Sequence, residues 1–213
     1  MSGNPSDLRN SDAAHGAAPP RRDRRAERRA ATRDEILAAA WELVRERGIA
    51  ELSLRDLGER VGMRAQSLYS YFPSKDAIYD AMFRDGNLEL LRRIEALDDD
   101  GTAEERLRAG ARLFVDFAVE DPARSTLLYL RVLPGFEPSA EAYEPAVRAL
   151  AATRERLAAA GLTDPVILDL WTALLSGLIN QQNSNDPGGD RWLRLLDDAL
   201  DMLLAYAKER VAR

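Results

Sequence analysis

The stretch LSLRDLGERVGMRAQSLYSYFPSK, residues 52–75, spells two short helices joined by a tight turn. Ser53 followed by Asp56 resembles a capping box, in which a side-chain oxygen satisfies a free amide at a helix start, and Leu54, Leu57 and Val61 follow at helical spacing. The first helix is therefore predicted to run to about Arg60. Gly62 permits a sharp turn, Met63 packs back under it, and Arg64 to Tyr71 form a second helix anchored inward by Leu68. Arg64, Ala65, Ser67 and Ser70 then face outward. Small and polar side chains at the start of the second helix are what a helix-turn-helix needs, because that helix lies in the major groove of DNA with its first residues on base edges. Shape alone leaves a plain helical corner open as the alternative.

The run Ser67-Leu68-Tyr69-Ser70-Tyr71-Phe72-Pro73-Ser74-Lys75, after Gly62 and an upstream Leu-Arg-Asp-Leu-Gly, resembles the signature of TetR-family transcriptional repressors. The resemblance covers about residues 33–80 and takes in the helix Arg33 to Arg47, ending at Gly48. It implies a homodimer that binds a palindromic operator in double-stranded DNA and lets go when a small molecule occupies the C-terminal domain. Base-reading positions carried over by the match fall on Arg64, Ala65, Ser67 and Ser70, and phosphate contacts on Ser53, Tyr69, Tyr71 and Lys75. Trp171 to Gly177 resembles the family's Trp-His-Gly variant, except that Ser176 stands where the histidine would be.

The chain has 213 residues, 46% hydrophobic and 31% charged, enough for a small head and a body with its own core. With no cysteine, disulfide frameworks and thiol chemistry are excluded, and a reducing cytoplasm is as acceptable as any other compartment; a cytoplasmic location is the overall expectation. The N-terminus lacks a signal-peptide stretch, and no apolar run approaches the roughly 20 residues of a membrane span. The net charge of −6 is unevenly distributed: 14 basic against 13 acidic residues in 1–80, and 16 against 23 in 81–213. The acidity belongs to the body, where it discourages the wrong surface from meeting DNA.

Residues 1–32 are rich in Ser, Asn, Ala, Gly, Pro and Arg, and read as a disordered arm. Arg21, Arg22, Arg24, Arg25, Arg28 and Arg29 cluster there, placed to displace counterions from a duplex backbone; the alternative is a solvated tail. The only histidine, His15, lies in this arm. From Thr32 onward, helix starts punctuate the chain. Thr32/Glu35 and Thr102/Glu105 match capping boxes, Asp121-Pro122 and Asp164-Pro165 place a capping acid before a first-turn proline, and Ser74 follows Pro73. Helices are expected near 33–47, 53–60, 64–71, 74–97, 103–119, 122–131, 139–160, 165–183 and 190–211. The predicted class is all-α: a three-helix DNA-binding head at 33–78 and a helical effector-binding and dimerisation domain at 79–213.

In helix 165–183 apolar residues surround most of the circumference, so more than one side is covered. The final helix carries Trp192, Leu196, Leu200 and Leu203 at spacings that form a broad stripe. With Leu175 and Ile179, these are the expected faces of a two-fold four-helix dimer interface; the alternative is a monomer whose last helices close the core. An effector pocket is expected among Phe114, Phe117, Leu128, Tyr129, Phe136, Tyr143, Trp171 and Leu174, with Gln181 of the Asn180-Gln181-Gln182-Asn183 run as a neutral polar anchor. A small, largely apolar effector fits that lining. No catalytic residue, metal site or cofactor is assigned, since one histidine and no cysteine leave only carboxylate or tyrosine chemistry for an enzyme. A helical protein-interaction adaptor is the other alternative, and it would leave Ser67 to Lys75 unexplained.

Overall fold

The computed structural model describes residues 24–98 and 100–211, and among them there is no strand. The α-helices are α1 (Arg24–Arg47), α2 (Leu54–Arg60), α3 (Ala65–Leu68), α4 (Lys75–Glu95), α5 (Ala103–Glu120), α6 (Pro122–Tyr129), α7 (Ala140–Ala159), α8 (Pro165–Asn185) and α9 (Leu196–Val211). Single 3-10 turns lie at Ile49–Glu51 and Leu193–Leu195. Local capping chemistry sets most of the starts. Ser53 and Ser74 accept from the amides of Asp56 (3.1 Å) and Ala77 (3.0 Å). Thr102 and Glu105 close a reciprocal capping box, and Asp121 and Asp164 cap helices whose first turns hold Pro122 and Pro165.

Three expectations are corrected. α1 begins at Arg24, so Arg24, Arg25, Arg28 and Arg29 are helical rather than part of a disordered arm; Arg21, Arg22 and His15 lie outside the described residues. Thr32 is not a cap: its hydroxyl donates to the Arg28 carbonyl inside the helix (3.0 Å). An Ala- and Arg-rich extension of a packed helix needs no nucleus of its own, so it propagates without an apolar face. The recognition segment is α-helical only over Ala65–Leu68 and continues as tight turns to Phe72. The chain before α9 is likewise no continuous helix. Gln182 and Asp186 take the Trp192 and Arg191 amides (3.0 and 2.9 Å), which holds that segment as a loop until Leu193. The remaining helix ends fall within three residues of expectation.

The head core joins Ile36 and Val44 of α1, Leu57 of α2, Leu68 of α3, and Ile78 and Met82 of α4. The body core joins Leu107 and Val115 of α5 to Ile167 and Leu175 of α8 and to Leu196 and Leu200 of α9. α4 serves both ends: beyond Met82 it turns Phe83, Leu90 and Ile94 towards Phe117 and α7. Two polar ties fix the head to the body. The Trp41 indole donates to Asp85 (2.9 Å), and Arg45 of α1 pairs with Asp121 at the start of α6 (2.8 Å). No helix among the described residues is long and apolar enough to cross a membrane.

Candidate functional site

The turn between α2 and α3 is tight because the Met63 amide donates to the Gly58 carbonyl (2.8 Å) while Gly62 takes φ +68°. A side chain at Gly58 would press on backbone, its Cβ lying 2.7 Å from the Met63 carbonyl oxygen. With Leu68 only 1% exposed beneath it, α3 is held against the head and presents one face. Arg64, Ser67 and Ser70 are exposed, as is Tyr69; Ala65, Ser53, Tyr71 and Lys75 are half-buried. The sequence reading missed Gln66, a polar side chain exposed on the second position of α3, where its residue type alone was the available signal. Several of these groups already have local duties. The Ser70 hydroxyl donates to the Ser67 carbonyl (2.7 Å), Ser53 caps α2, and the Lys75 ammonium lies over the Tyr79 ring.

Arg24, Arg25, Arg28 and Arg29 are all exposed on α1, and Arg29 donates to the Ser70 carbonyl and lies over the Tyr71 ring. Arg33 repeats that contact one turn on, donating to the Tyr71 carbonyl at 2.6 Å with its guanidinium 4.3 Å from the Phe72 ring centre. Both satisfy carbonyls left over at the end of a helix too short to be stable alone. Neither contact was legible from spacing, because it depends on α1 crossing the end of the recognition segment.

Four acidic side chains on α1 and α2 are paired: Arg47 pairs with Asp56 (2.6 Å), Arg55 with Glu59 (3.1 Å), and Arg60 with both Glu46 (2.6 Å) and Glu42 (3.2 Å). The hydrogen bond from Arg60 holds the Glu46 carboxyl below the usual carboxylate range. Arg64 and Lys75 have no carboxylate partner among the described residues, so positive potential is left on the recognition side.

In the body, a cavity of about 380 Å³ opens between α4, α5, α7 and α8. Phe114, Leu128, Tyr129, Tyr143 and Trp171 line it. The other expected residues do not. Phe117 is fully buried beneath the Arg124 guanidinium (3.7 Å), and Leu174 packs half-buried on the α8–α9 core. Phe136 sits edge-on to Tyr79 and lines a separate groove. Gln181 is exposed and bonded to Asn185 (2.6 Å); its neighbour Gln182 is the buried amide, spent on the loop after α8. What sequence reasoning missed is the α4 wall, with Asn87 and Leu90, and the part of the α7 wall beyond Tyr143 that carries Thr153 and Arg156. Desolvation pushes the Tyr129 phenol well above the ordinary tyrosine range, although 37% of the residue remains exposed, so it stays a neutral donor.

The expected dimer residues Leu175, Ile179, Leu196, Leu200 and Leu203 are each less than a tenth exposed within a single chain, and Trp192 is half-buried. They close the core of one chain, a correction to the interface reading. The same region carries a second, outward strip: Val166, Leu170, Ala173 and Gly177 on α8, Leu195 at the end of the preceding 3-10 turn, and Met202 and Tyr206 on α9, Met202 being 73% exposed. Spacings of three and four describe both faces of each helix equally well, so the pattern could not say which one looks inward.

A polar recognition segment braced on a three-helix head and carried by an all-helical body defines a helix-turn-helix head, the motif that other proteins lay in the major groove of DNA. Within this head, residues 36–82 match the tetR family of bacterial regulatory proteins. The HTH-type transcriptional regulator Rv1816 of Mycobacterium tuberculosis is 32% identical over 111 residues, 49% of this chain and 47% of that protein. The match thus spans about half the length of such curated relatives. Two solved structures share the fold across the body. PfmR from Thermus thermophilus, a TetR-family transcriptional regulator, has TM-score 0.62 at 20% identity over 81% of this chain and 98% of its own. FadR from Bacillus subtilis, solved with stearoyl-CoA, has TM-score 0.60 at 17% identity over 80% and 96%.

Proposed function

We propose that this protein is a cytoplasmic, homodimeric transcriptional repressor that binds a palindromic operator through α3 and releases it when a small, largely apolar molecule occupies the body cavity. The observation that carries the reading is the exposed polar face of α3, fixed from below by Leu68 and from the side by Arg29 and Arg33, within the stretch that matches the TetR family. On this reading Arg64, Gln66 and Ser67 meet base edges, while Tyr69 and Lys75 meet phosphates. The protein acts by binding and not as an enzyme.

Dimerisation is assigned to the outward strip of α8 and α9, where small Ala173 and Gly177 let a second copy approach closely and Leu170, Met202 and Tyr206 supply apolar area. Release is supported by two helices that reach both ends. α4 carries Tyr79 in the head core and Leu90 at the cavity; α6 carries Leu128 at the cavity and is capped by Asp121, which holds Arg45 of α1. An occupant that prefers the DNA-free arrangement weakens operator binding by the same factor, typically about 1–3 kcal/mol. Selection of bound duplexes from a random pool tests the core of the proposal. A recovered palindrome supports it, and a pool that stays random at low salt refutes it.

A further inference from the structure

Arg156, on the wall of the body cavity, forms no ion pair with a carboxylate among the described residues. It is half-buried, and its stem crosses α5 at Gly110, where a Cβ would lie 3.4 Å from the Arg156 Cδ. Its guanidinium donates to the carbonyls of Ala152 and Ile94, both at 3.3 Å, beyond the ordinary range for such bonds. Two other half-buried arginines of the body are treated differently: Arg93 holds Glu89 and Glu120, and Arg108 holds Glu104 and Asp201. Acidic residues outnumber basic ones in this half of the chain, 23 to 16, so a carboxylate partner was available in composition and is missing in place. No Asp or Glu lines the cavity; its other polar groups, Asn87, Thr153, Thr172 and Ser176 and the phenols of Tyr129 and Tyr143, are neutral.

The position of the charge has a direction. Ile94 and Arg156 also line an outer groove with Glu95, Leu97, Arg106 and Glu155, so the guanidinium stands where the cavity adjoins that groove, while Leu90, Phe114, Leu128 and Trp171 supply apolar wall. Glu95 pairs with Arg148, and neither glutamate forms an ion pair with Arg156. We propose that the cavity takes a straight-chain carboxylate, its head group on Arg156 and its alkyl chain along Leu90, Phe114 and Trp171. The planar fork of arginine matches a carboxylate with two parallel bonds, and such charge-assisted bonds are about twice as strong as neutral ones. The inference rests on the effector reading above and specifies its ligand class.

The test uses the full-length protein with matched probes: straight-chain carboxylates from hexanoate to tetradecanoate, the alcohols of equal length, and the corresponding alkyltrimethylammonium ions. Binding is read by calorimetry and by Trp171 emission, and release by operator affinity. At the best chain length the carboxylate is expected to bind about tenfold or more tightly than the alcohol, the worth of one hydrogen bond to a charged group. Arg156→Gln should abolish that preference while leaving alcohol affinity unchanged, and Arg156→Lys should keep part of it. A preference that survives Arg156→Gln, or an ammonium series that binds the wild type as well as the carboxylates do, overturns the anion site and leaves the effector reading standing; the second comparison needs no variant. If no probe of any length binds, both fall together.

Discussion

Replacing Arg33 by alanine removes a contact that never touches the outward face of α3, and it should still weaken operator binding. Arg33 makes one charge-assisted hydrogen bond to the Tyr71 carbonyl at 2.6 Å and stacks 4.3 Å from the Phe72 ring centre. Hydrogen bonds to charged groups contribute about 1.5–3 kcal/mol, and an exposed cation over a ring face adds about 0.5–1. The guanidinium is exposed, so solvent screening reduces the sum to about 1–2 kcal/mol. Because α3 has only four α-helical residues, this loss falls on the segment least able to hold itself. Operator affinity is therefore expected to drop by about five- to thirtyfold. Melting temperature should fall by a few degrees, roughly 2–4 °C for each kcal/mol in a chain of this size. The discriminating measurement is a salt titration. An internal brace leaves the slope of log affinity against log salt unchanged, whereas loss of a phosphate ligand lowers it by about 0.9. A slope reduced by about one, with an unchanged melting temperature, would refute the brace and make Arg33 a direct DNA contact.

Arg64→Ala should relax preference at one base pair at a cost of about 1–3 kcal/mol, while Lys75→Ala should weaken all sequences alike and lower the salt slope by about one; mutants that behave identically would sink the groove assignment. Met202→Glu, on the outward strip, should give folded monomers by sedimentation with operator binding lost, whereas Leu200→Glu, buried in one chain, should unfold the protein; dimeric Met202→Glu protein would displace the interface from α8–α9. Glu46, Glu104, Glu120, Asp164 and Asp186 all have carboxyl groups held below their ordinary range, chiefly by hydrogen bonds from Arg60, Arg108, Arg93, Arg210 and the Arg191 amide respectively. With folded values depressed, the unfolded chain takes up more protons on acidification, so melting temperature should be flat above about pH 5 and decline as pH falls below about 4. A melting temperature that rises on acidification would contradict those pairings.

Helix starts were readable because capping is settled by neighbours in sequence: Ser53, Ser74, Thr102 with Glu105, Asp121 and Asp164 each cap where local chemistry places them. The start of α1 was not, since Arg24 to Thr32 shows no apolar period and extends a helix nucleated further on. Leu200 and Met202 illustrate a second limit: both belong to one apolar helix, and only its placement against α5 and α8 sends the first inward and the second out. Arg156 marks a third. A charged residue on α7 reads as surface until the path of that helix over α4 and α5 brings its guanidinium to the cavity wall.

α4 is a single rod of 21 residues with its two ends in different company: Ile78 in the head core, Leu90 and Ile94 on the cavity wall. At 1.5 Å per residue it is about 30 Å long, so a tilt of a few degrees at the cavity swings the far end by about 2 Å. In the proposed dimer, two such levers related by the two-fold axis would alter the separation of the recognition segments by up to twice that amount, against half-sites spaced by the pitch of the duplex at about 34 Å. Leverage of this kind makes the sensitivity of DNA release a matter of helix length as much as of ligand affinity. It also means that substitutions lining the cavity can retune which molecule tips the lever without altering a single residue that meets the duplex.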